Sequence, residues 1–341
     1  MPDVEVRVID GFELCGRLSE IPARVYGVFT RHVPALYNAA WRFTMAHPPA
    51  FRLSARLYRR HFAESIRRFQ PDLILTVHSF FNIVLTRMLD RLSLRIPVVV
   101  LQADLVNIHS TWCNPRALRT VCPTPEAFSA SIAQGMPPEK LKVIGFPVRG
   151  RFCDAARNTG APEYDPSRPL RCLLISGGEG AGRLKIYAKA ILEHTDAELT
   201  IVCGRNSQLQ HQLQRSFLPQ YSGRVKVLGF VSELEQELLR SDLLVTRGSP
   251  NTLLEAVVSA VPFIMIGPML EQERDNPRLM QQHHLGVICA SPDEIPGMIS
   301  GLLADDAARL REIRAAQCAF RSFDTAREIA LYVAELAGPV S

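Results

Sequence analysis

A chain of 341 residues with 47% hydrophobic and 21% charged side chains is long enough for two α/β cores and too apolar to stay disordered. Its longest apolar runs, IPVVVLQA (96–103) and VPFIMI (261–266), fall far short of the roughly 20 residues that a membrane span requires. The start, MPDVEVRVID, has no basic region followed by an apolar stretch, so no secretory signal is expected and the cytoplasm is the expected compartment. The net charge of +5 is modest.

The charge is unevenly spread. Between residues 11 and 70 stand ten arginines against three glutamates, with no lysine, interleaved with Phe12, Tyr26, Phe29, Tyr37, Trp41, Phe43, Phe51 and Tyr58. Arginine beside exposed aromatics suits an anionic membrane surface or a nucleic acid. No DNA- or RNA-binding motif accompanies it, so the membrane surface is the functional expectation and nucleic acid is not. A solvated arginine face on ordinary amphipathic helices is the bland alternative. The eight cysteines (Cys15, Cys113, Cys122, Cys153, Cys172, Cys203, Cys289 and Cys318) include no CxxC pair, so neither a zinc site nor a redox motif is supported. Several lie in apolar runs, where cysteine packs as a small hydrophobe.

In chain order, VEVRVI (4–9) alternates with period two and reads as a strand. A helix is expected over 52–69, a strand at 73–77, a helix over 80–92, and strands at 96–102, 121–125 and 142–148. After a Gly-, Pro- and Asn-containing stretch expected to be a linker (151–168), the alternation restarts at RCLLIS (171–176). Helices at 181–194, 207–217, 232–240, 251–260 and 275–284 then alternate with strands at 199–204, 225–230, 242–246, 262–267 and 286–290. Helices over 292–304, 306–321 and 324–337 close the chain. The expected fold class is α/β, with two doubly wound, Rossmann-like domains facing a cleft: 1–150, and 169–323 followed by a terminal helix in 324–341.

Three strand-to-helix loops of the second half carry chemistry. In SGGEGAG (176–182) the glycines let backbone approach a phosphate, although such turns also occur for packing alone. In CGRN (203–206) Arg205 can pair a phosphate or remain solvated. TRGSPNTLLEA (246–256) opens a helix on small residues, so the N–H groups of Asn251 and Thr252 can face a diphosphate. One turn on, Glu255 can accept from both hydroxyls of a ribose, or simply suit the helix dipole. GPMLEQERDN (267–276) then offers Gln272, Glu273 and Asn276 to sugar hydroxyls.

This succession, with FQPDLILTVH (69–78), DLVNIHSTW (104–112), KVIGFPVR (142–149) and KVLGFV (226–231), resembles the monogalactosyldiacylglycerol synthase family of inverting glycosyltransferases with the two-domain GT-B fold. More distantly it resembles the peptidoglycan N-acetylglucosaminyltransferase. The resemblance implies a UDP-sugar donor at Gly177, Gly178, Glu179 and Gly180, with Phe230 and Val231 lining the uracil pocket. Thr252 would approach the diphosphate, Glu255 the ribose, and Gln272 and Glu273 the hexose. It further implies a diacylglycerol acceptor served from His78, Asp104, His109 and Trp112, with Asp104 or His109 as catalytic base. Alternatively, these two hold their own segment together. No cofactor or metal is expected, since no DxD-like pair lies in the donor loops. The expected location is peripheral, at the cytoplasmic membrane face.

The sequence departs from the family in three places. Asn251 stands where the family commonly has Gly, and Glu271 and Asp275 replace glycines around Gln272, which puts the preferred hexose in question. The family's opening strand and Gly-rich, His-containing loop have no counterpart here, and that strand would be central in a 3-2-1-4-5 sheet. The expectation is either a start lying upstream or a first domain that has lost transfer. The competing functions are transfer of galactose or glucose to diacylglycerol, transfer of N-acetylglucosamine to a lipid-linked precursor, and sugar-nucleotide binding without catalysis.

Overall fold

The computed structural model describes residues 4–11, 34–46, 59–160, 163–175, 183–267 and 269–338. The chain divides into two compact units: Met1–Pro147 with Leu270–Gln272 and Asp324–Ser341, and Val148–Met269 with Glu273–Phe323.

In the first unit, strands β1 (Ile74–Thr76), β2 (Val98–Leu101), β3 (Arg119–Cys122) and β4 (Leu141–Val143) form a parallel sheet in sequence order among the described residues. β2 is buried along its whole length, as its unbroken apolar run requires when both faces are covered. Helix Ser79–Arg91 packs Val84, Leu85, Met88 and Leu89 with Val98 and with Phe62 and Ile66 of helix Arg59–Phe69. Thr124 caps helix Pro125–Ala133 by accepting from the Ala127 N–H at 3.0 Å. Helix Thr325–Ala337 places Ile329 against Val99, Leu101 and Val121, so the C-terminal residues complete the first core.

Residues 4–9 do not form the expected strand. They have no place in either sheet, and Val6 and Val8 are 76% and 91% exposed. Period-two patterning supplies a buriable face, but a strand forms only where a neighbour accepts its ladder bonds. The linker expectation also needs correction, because Gly150–Thr159 is a helix whose Phe152, Cys153 and Ala156 are buried. Those residues recur at helical spacing, which the surrounding Gly and Pro obscured.

In the second unit, β5 (Arg171–Ile175), β6 (Glu198–Val202), β7 (Val225–Leu228), β8 (Leu243–Thr246), β9 (Phe263–Ile266) and β10 (Val287–Cys289) are all parallel, in the order β10-β9-β8-β5-β6-β7. β5 lies inside the sheet, and the chain leaves it toward β6 on one side and returns to β8 on the other. Right-handed crossovers then put helices on both faces. The expected break between 304 and 306 appears inside Ile295–Phe320, where Asp305, Asp306 and Ala307 turn to positive φ. Cys122, Cys153, Cys172, Cys203 and Cys289 are buried as small hydrophobes, whereas Cys318 is exposed, and burial pushes the Cys113 and Cys203 thiols up to about 11 and Cys122 to about 12. Cys15 and residues 12–33 and 47–58 of the arginine-rich segment lie outside the described residues.

The amino-terminal ends of β5 and β8 are joined by a buried ion pair. Asp242 is 1% exposed and receives Arg168 Nη1 and Nη2 at 2.6 and 2.8 Å and the Arg171 N–H at 2.8 Å. Replacing Arg168 by Met strands that carboxylate and is expected to cost about 3 kcal/mol in urea unfolding. The double change Arg168→Met, Asp242→Leu should recover part of the loss, whereas equal losses would show the pair contributes nothing special.

Candidate functional site

The strand order reverses at the β5–β8 pair, the kind of switch beyond whose carboxyl ends open parallel sheets collect ligands. The loop after β5, with Gly177, Gly178, Glu179 and Gly180, lies outside the described residues. After β6, Gly204 turns at φ +59 and Asn206 caps helix Ser207–Phe217, accepting from the Leu209 N–H at 2.9 Å. That turn brings Arg205 over the Phe230 ring at 5.4 Å, uniting two residues singled out separately in the sequence. Phe230 is 65% exposed, and an exposed ring beneath a guanidinium is a surface on which a planar base can stack. Val231 beside it is half-buried.

After β8 the chain enters helix Pro250–Val258. Pro250 at its first turn has no N–H, and Ser249 makes no side-chain cap. The first-turn N–H groups near Asn251 and half-buried Thr252 therefore receive no cap from Ser249, a setting that suits an anion. Glu255 follows on the same helix, 4% exposed, with Oε1 accepting from Arg149 Nε at 2.6 Å. Burial pushes the Glu255 carboxyl above its ordinary value, and Arg149 pulls it part of the way back. Arg149 also lies over the Phe152 ring at 4.6 Å. It belongs to the KVIGFPVR run, but nothing in the sequence connected it to a residue 106 positions away.

The segment after β9 differs from expectation. Glu273 is buried and lies 3.5 Å from Arg247 Nε. Asn276, expected to meet a sugar, is fully buried and donates to the Gly248 carbonyl at 2.8 Å. Both brace the loop after β8, and Asn276 is enclosed there with its Oδ1 left without a hydrogen-bond partner among the described residues. Gln272 is half-buried and accepts from the Tyr37 hydroxyl at 2.7 Å, while buried Glu271 pairs with Arg42 at 2.9 Å. The extra carboxylate at 271 is thus neutralised by an arginine of the basic segment.

On the acceptor side, exposed His78 caps helix Ser79–Arg91, its Nδ1 accepting from the Phe80 N–H at 3.2 Å. Asp104 accepts from Trp112 Nε1 at 2.7 Å, which fixes that carboxylate half-buried after β2. His109 is buried, and its Nδ1 accepts from the Thr111 N–H at 3.2 Å. The proton that this leaves on Nε2 faces the Trp41 carbonyl at 3.3 Å and the Thr44 hydroxyl at 3.2 Å. Burial lowers the His109 pKa. With both ring nitrogens engaged and Trp41 edge-on at 4.9 Å, His109 holds structure together and does not stand open as a base. It packs on Trp41 rather than on Trp112, a contact invisible without the tertiary fold.

Residues 2–148 match the family described as monogalactosyldiacylglycerol (MGDG) synthase, and residues 173–295 match the glycosyltransferase family 28 C-terminal domain. The chain is thus similar to monogalactosyldiacylglycerol synthases in its first half and to family 28 glycosyltransferases in its second. Monogalactosyldiacylglycerol synthase 1 of Arabidopsis thaliana is 27% identical over 301 residues, covering 81% of this chain and 54% of that protein. The spinach synthase is 28% identical over 297 residues, covering 81% and 55%. The chain therefore spans about half the length of these curated relatives. MurG of Acinetobacter baumannii shares the GT-B fold with a TM-score of 0.60 at 13% identity, covering 83% of this chain and 80% of that one. Anabaena HepE, solved with UDP-glucose, gives 0.54 at 16% identity, covering 82% of each.

Because burial raises Glu255, ionising it costs folding free energy as the pH climbs through its folded value, and Arg149 limits that cost. Arg149→Ala should therefore be nearly neutral in acid, where Glu255 is protonated, and destabilising at neutral pH. The expected deficit is about 1–2 kcal/mol, less than for a fully buried pair because Arg149 is half-exposed. Thermal melts from pH 4 to 8 check this; a pH-independent deficit, or one that persists in a Glu255→Gln background, contradicts it.

Proposed function

We propose that this protein transfers a hexose, galactose or glucose, from a UDP-sugar to diacylglycerol with inversion, at the cytoplasmic face of a membrane. The observation that carries the reading is the buried carboxylate of Glu255 on the helix whose uncapped first turn follows β8, the strand beside the topological switch. Glu255 would accept from the ribose hydroxyls, exchanging its bond to Arg149, and the first turn with Thr252 would meet the diphosphate. The uracil would stack at Phe230 under Arg205. The plant relatives, named as monogalactosyldiacylglycerol synthases and aligned across both matched halves, favour a galactolipid product, and the UDP-glucose bound by HepE favours this donor class.

Asp104 is the proposed base. It would take the proton of the glycerol hydroxyl as that oxygen attacks the anomeric carbon from the face opposite UDP, and UDP would leave as the anion met by helix Pro250–Val258. Trp112 orients Asp104 by donating its indole N–H to that carboxylate. No metal is needed in this scheme, the helix N–H groups and arginines carrying the diphosphate charge. The helices of the described residues include none long and apolar enough to cross a membrane, and the basic segment 11–70 is the proposed contact with anionic lipid.

The test is UDP release by the full chain with UDP-galactose or UDP-glucose and vesicles carrying diacylglycerol. Asp104→Asn should lower turnover about 10²–10⁴-fold with UDP affinity retained. Glu255→Ala should weaken UDP binding about 10–100-fold, the loss of one bidentate charge-assisted contact. UDP binding without lipid-dependent release from any donor would leave a sugar-nucleotide-binding protein, and release only with a lipid-linked N-acetylmuramyl acceptor would reassign the substrate.

A further inference from the structure

Helix Pro250–Val258, whose open first turn is proposed above to meet the diphosphate, ends at Ser259, and Ala260 then turns to φ +52. Three side chains of the second unit converge on the carbonyls at this end. Arg314 Nε donates to the Ala260 carbonyl at 3.3 Å, Gln317 Nε2 to the Val261 carbonyl at 3.1 Å, and Arg321 Nη1 to the Val258 carbonyl at 3.0 Å. Spacing of i, i+3 and i+7 puts the three on one face of helix Ile295–Phe320 and its end. Carbonyls at a helix end lack donors of their own, and their partial negative charge favours cations. A neutral donor such as Gln317 meets the first need without burying a charge. Arg314 does bury one: it is 8% exposed, and its Nη2 has no hydrogen-bond partner among the described residues. Burial lowers its pKa, and Asp242 and Glu163 act the other way without forming an ion pair with it among the described residues. Asp242 is already taken by Arg168 and the Arg171 N–H. A buried, unpaired guanidinium weakens a fold that an apolar side chain of its size would serve at least as well.

We infer that Arg314, seconded by Arg321, is a positioning charge for the nucleotide: from the closed end of helix Pro250–Val258 it favours an anion at the open end, and neither arginine touches the ligand. The helix has 9 residues and is therefore about 14 Å long. Leu253, Leu254, Ala256, Val257 and Val258 are buried along it. Little water screens that path, so a unit charge acts farther through it than it would across the surface. Its sign is the one that UDP needs, both as part of the donor and as the leaving group. The inference rests on the UDP-sugar reading above and adds a selectivity to it. The two arginines sort ligands by charge, favouring a nucleoside diphosphate over the monophosphate and the monophosphate over the nucleoside. Glu255 is assigned to the ribose and is held separately by Arg149, so the nucleoside is indifferent to them.

Calorimetry of the full chain with uridine, UMP and UDP, beside thermal melts without ligand, tests this. Arg314→Met should melt no lower than the unaltered chain, because the charge it removes is unpaired. It should nevertheless bind UDP about three- to tenfold more weakly, UMP less so, and uridine as before. Arg314→Lys should keep the affinity for UDP. A merely structural clamp gives another pattern, a lower melting temperature with uridine and UDP weakened alike, and that result overturns the inference. Should Arg314→Met not fold, Arg321→Gln carries the same test, since glutamine still offers a donor to the Val258 carbonyl while the charge is gone, and the same ordering of ligands is expected. Unchanged UDP affinity in whichever variant folds overturns the inference and leaves the donor reading standing. Failure of the unaltered chain to bind either uridine or UDP sinks the donor reading itself and this inference with it.

Discussion

The pairing of β5 with both β6 and β8 governs the second unit. The strand order diverges on the two sides of β5, toward β6 and β7 on one and toward β8, β9 and β10 on the other, and open parallel sheets collect ligands at such a switch. The site residues described there inherit their places from that divergence: Arg205 and Phe230 beyond β6 and β7, the uncapped helix and Glu255 beyond β8, Glu273 beyond β9. At the other end of the same strands, Asp242 ties β5 and β8 together through Arg168 and the Arg171 N–H. The buried ion pair is affordable there because both carboxylate oxygens are satisfied.

Three buried carboxylates are each matched with an arginine of their own unit. Glu255 meets Arg149, Glu273 meets Arg247, and Glu271 meets Arg42. An ionised carboxylate is costly to dehydrate without such a partner, and Arg149 and Arg42 supply hydrogen bonds at 2.6 and 2.9 Å while Arg247 lies 3.5 Å away. Glu271 anchors its segment to helix Pro34–Ala46, and the arginine it requires comes from the basic segment. A guanidinium that reads as membrane charge in the sequence thus has a specific structural partner.

The acceptor-side residues divide in a similar way. Asp104 and His109 follow the same strand and look equivalent in sequence. His109 spends both nitrogens on its own neighbourhood, and Asp104, half-buried, accepts from Trp112. The difference arises from burial: a ring enclosed by Trp41, Thr44 and Thr111 must satisfy its polar atoms locally.

The sequence alone determined the parallel strands and most helices, since buried apolar runs, caps such as Thr124 and Asn206, and helical periodicity are local signals carried by neighbouring residues. It also located the loops after β6, β8 and β9, because strand ends and helix starts are written in Gly, Pro and small polar residues. Three things were decided only by tertiary structure. Residues 4–9 carry a strand pattern and form no strand, because a ladder needs a neighbour as well as a face. Gly150–Thr159 is helical because the core of its unit accepts Phe152, Cys153 and Ala156. The partners of Glu255, Glu271 and Gln272 lie 106, 229 and 235 positions away, and no local pattern encodes a contact whose two halves meet only after the chain has folded.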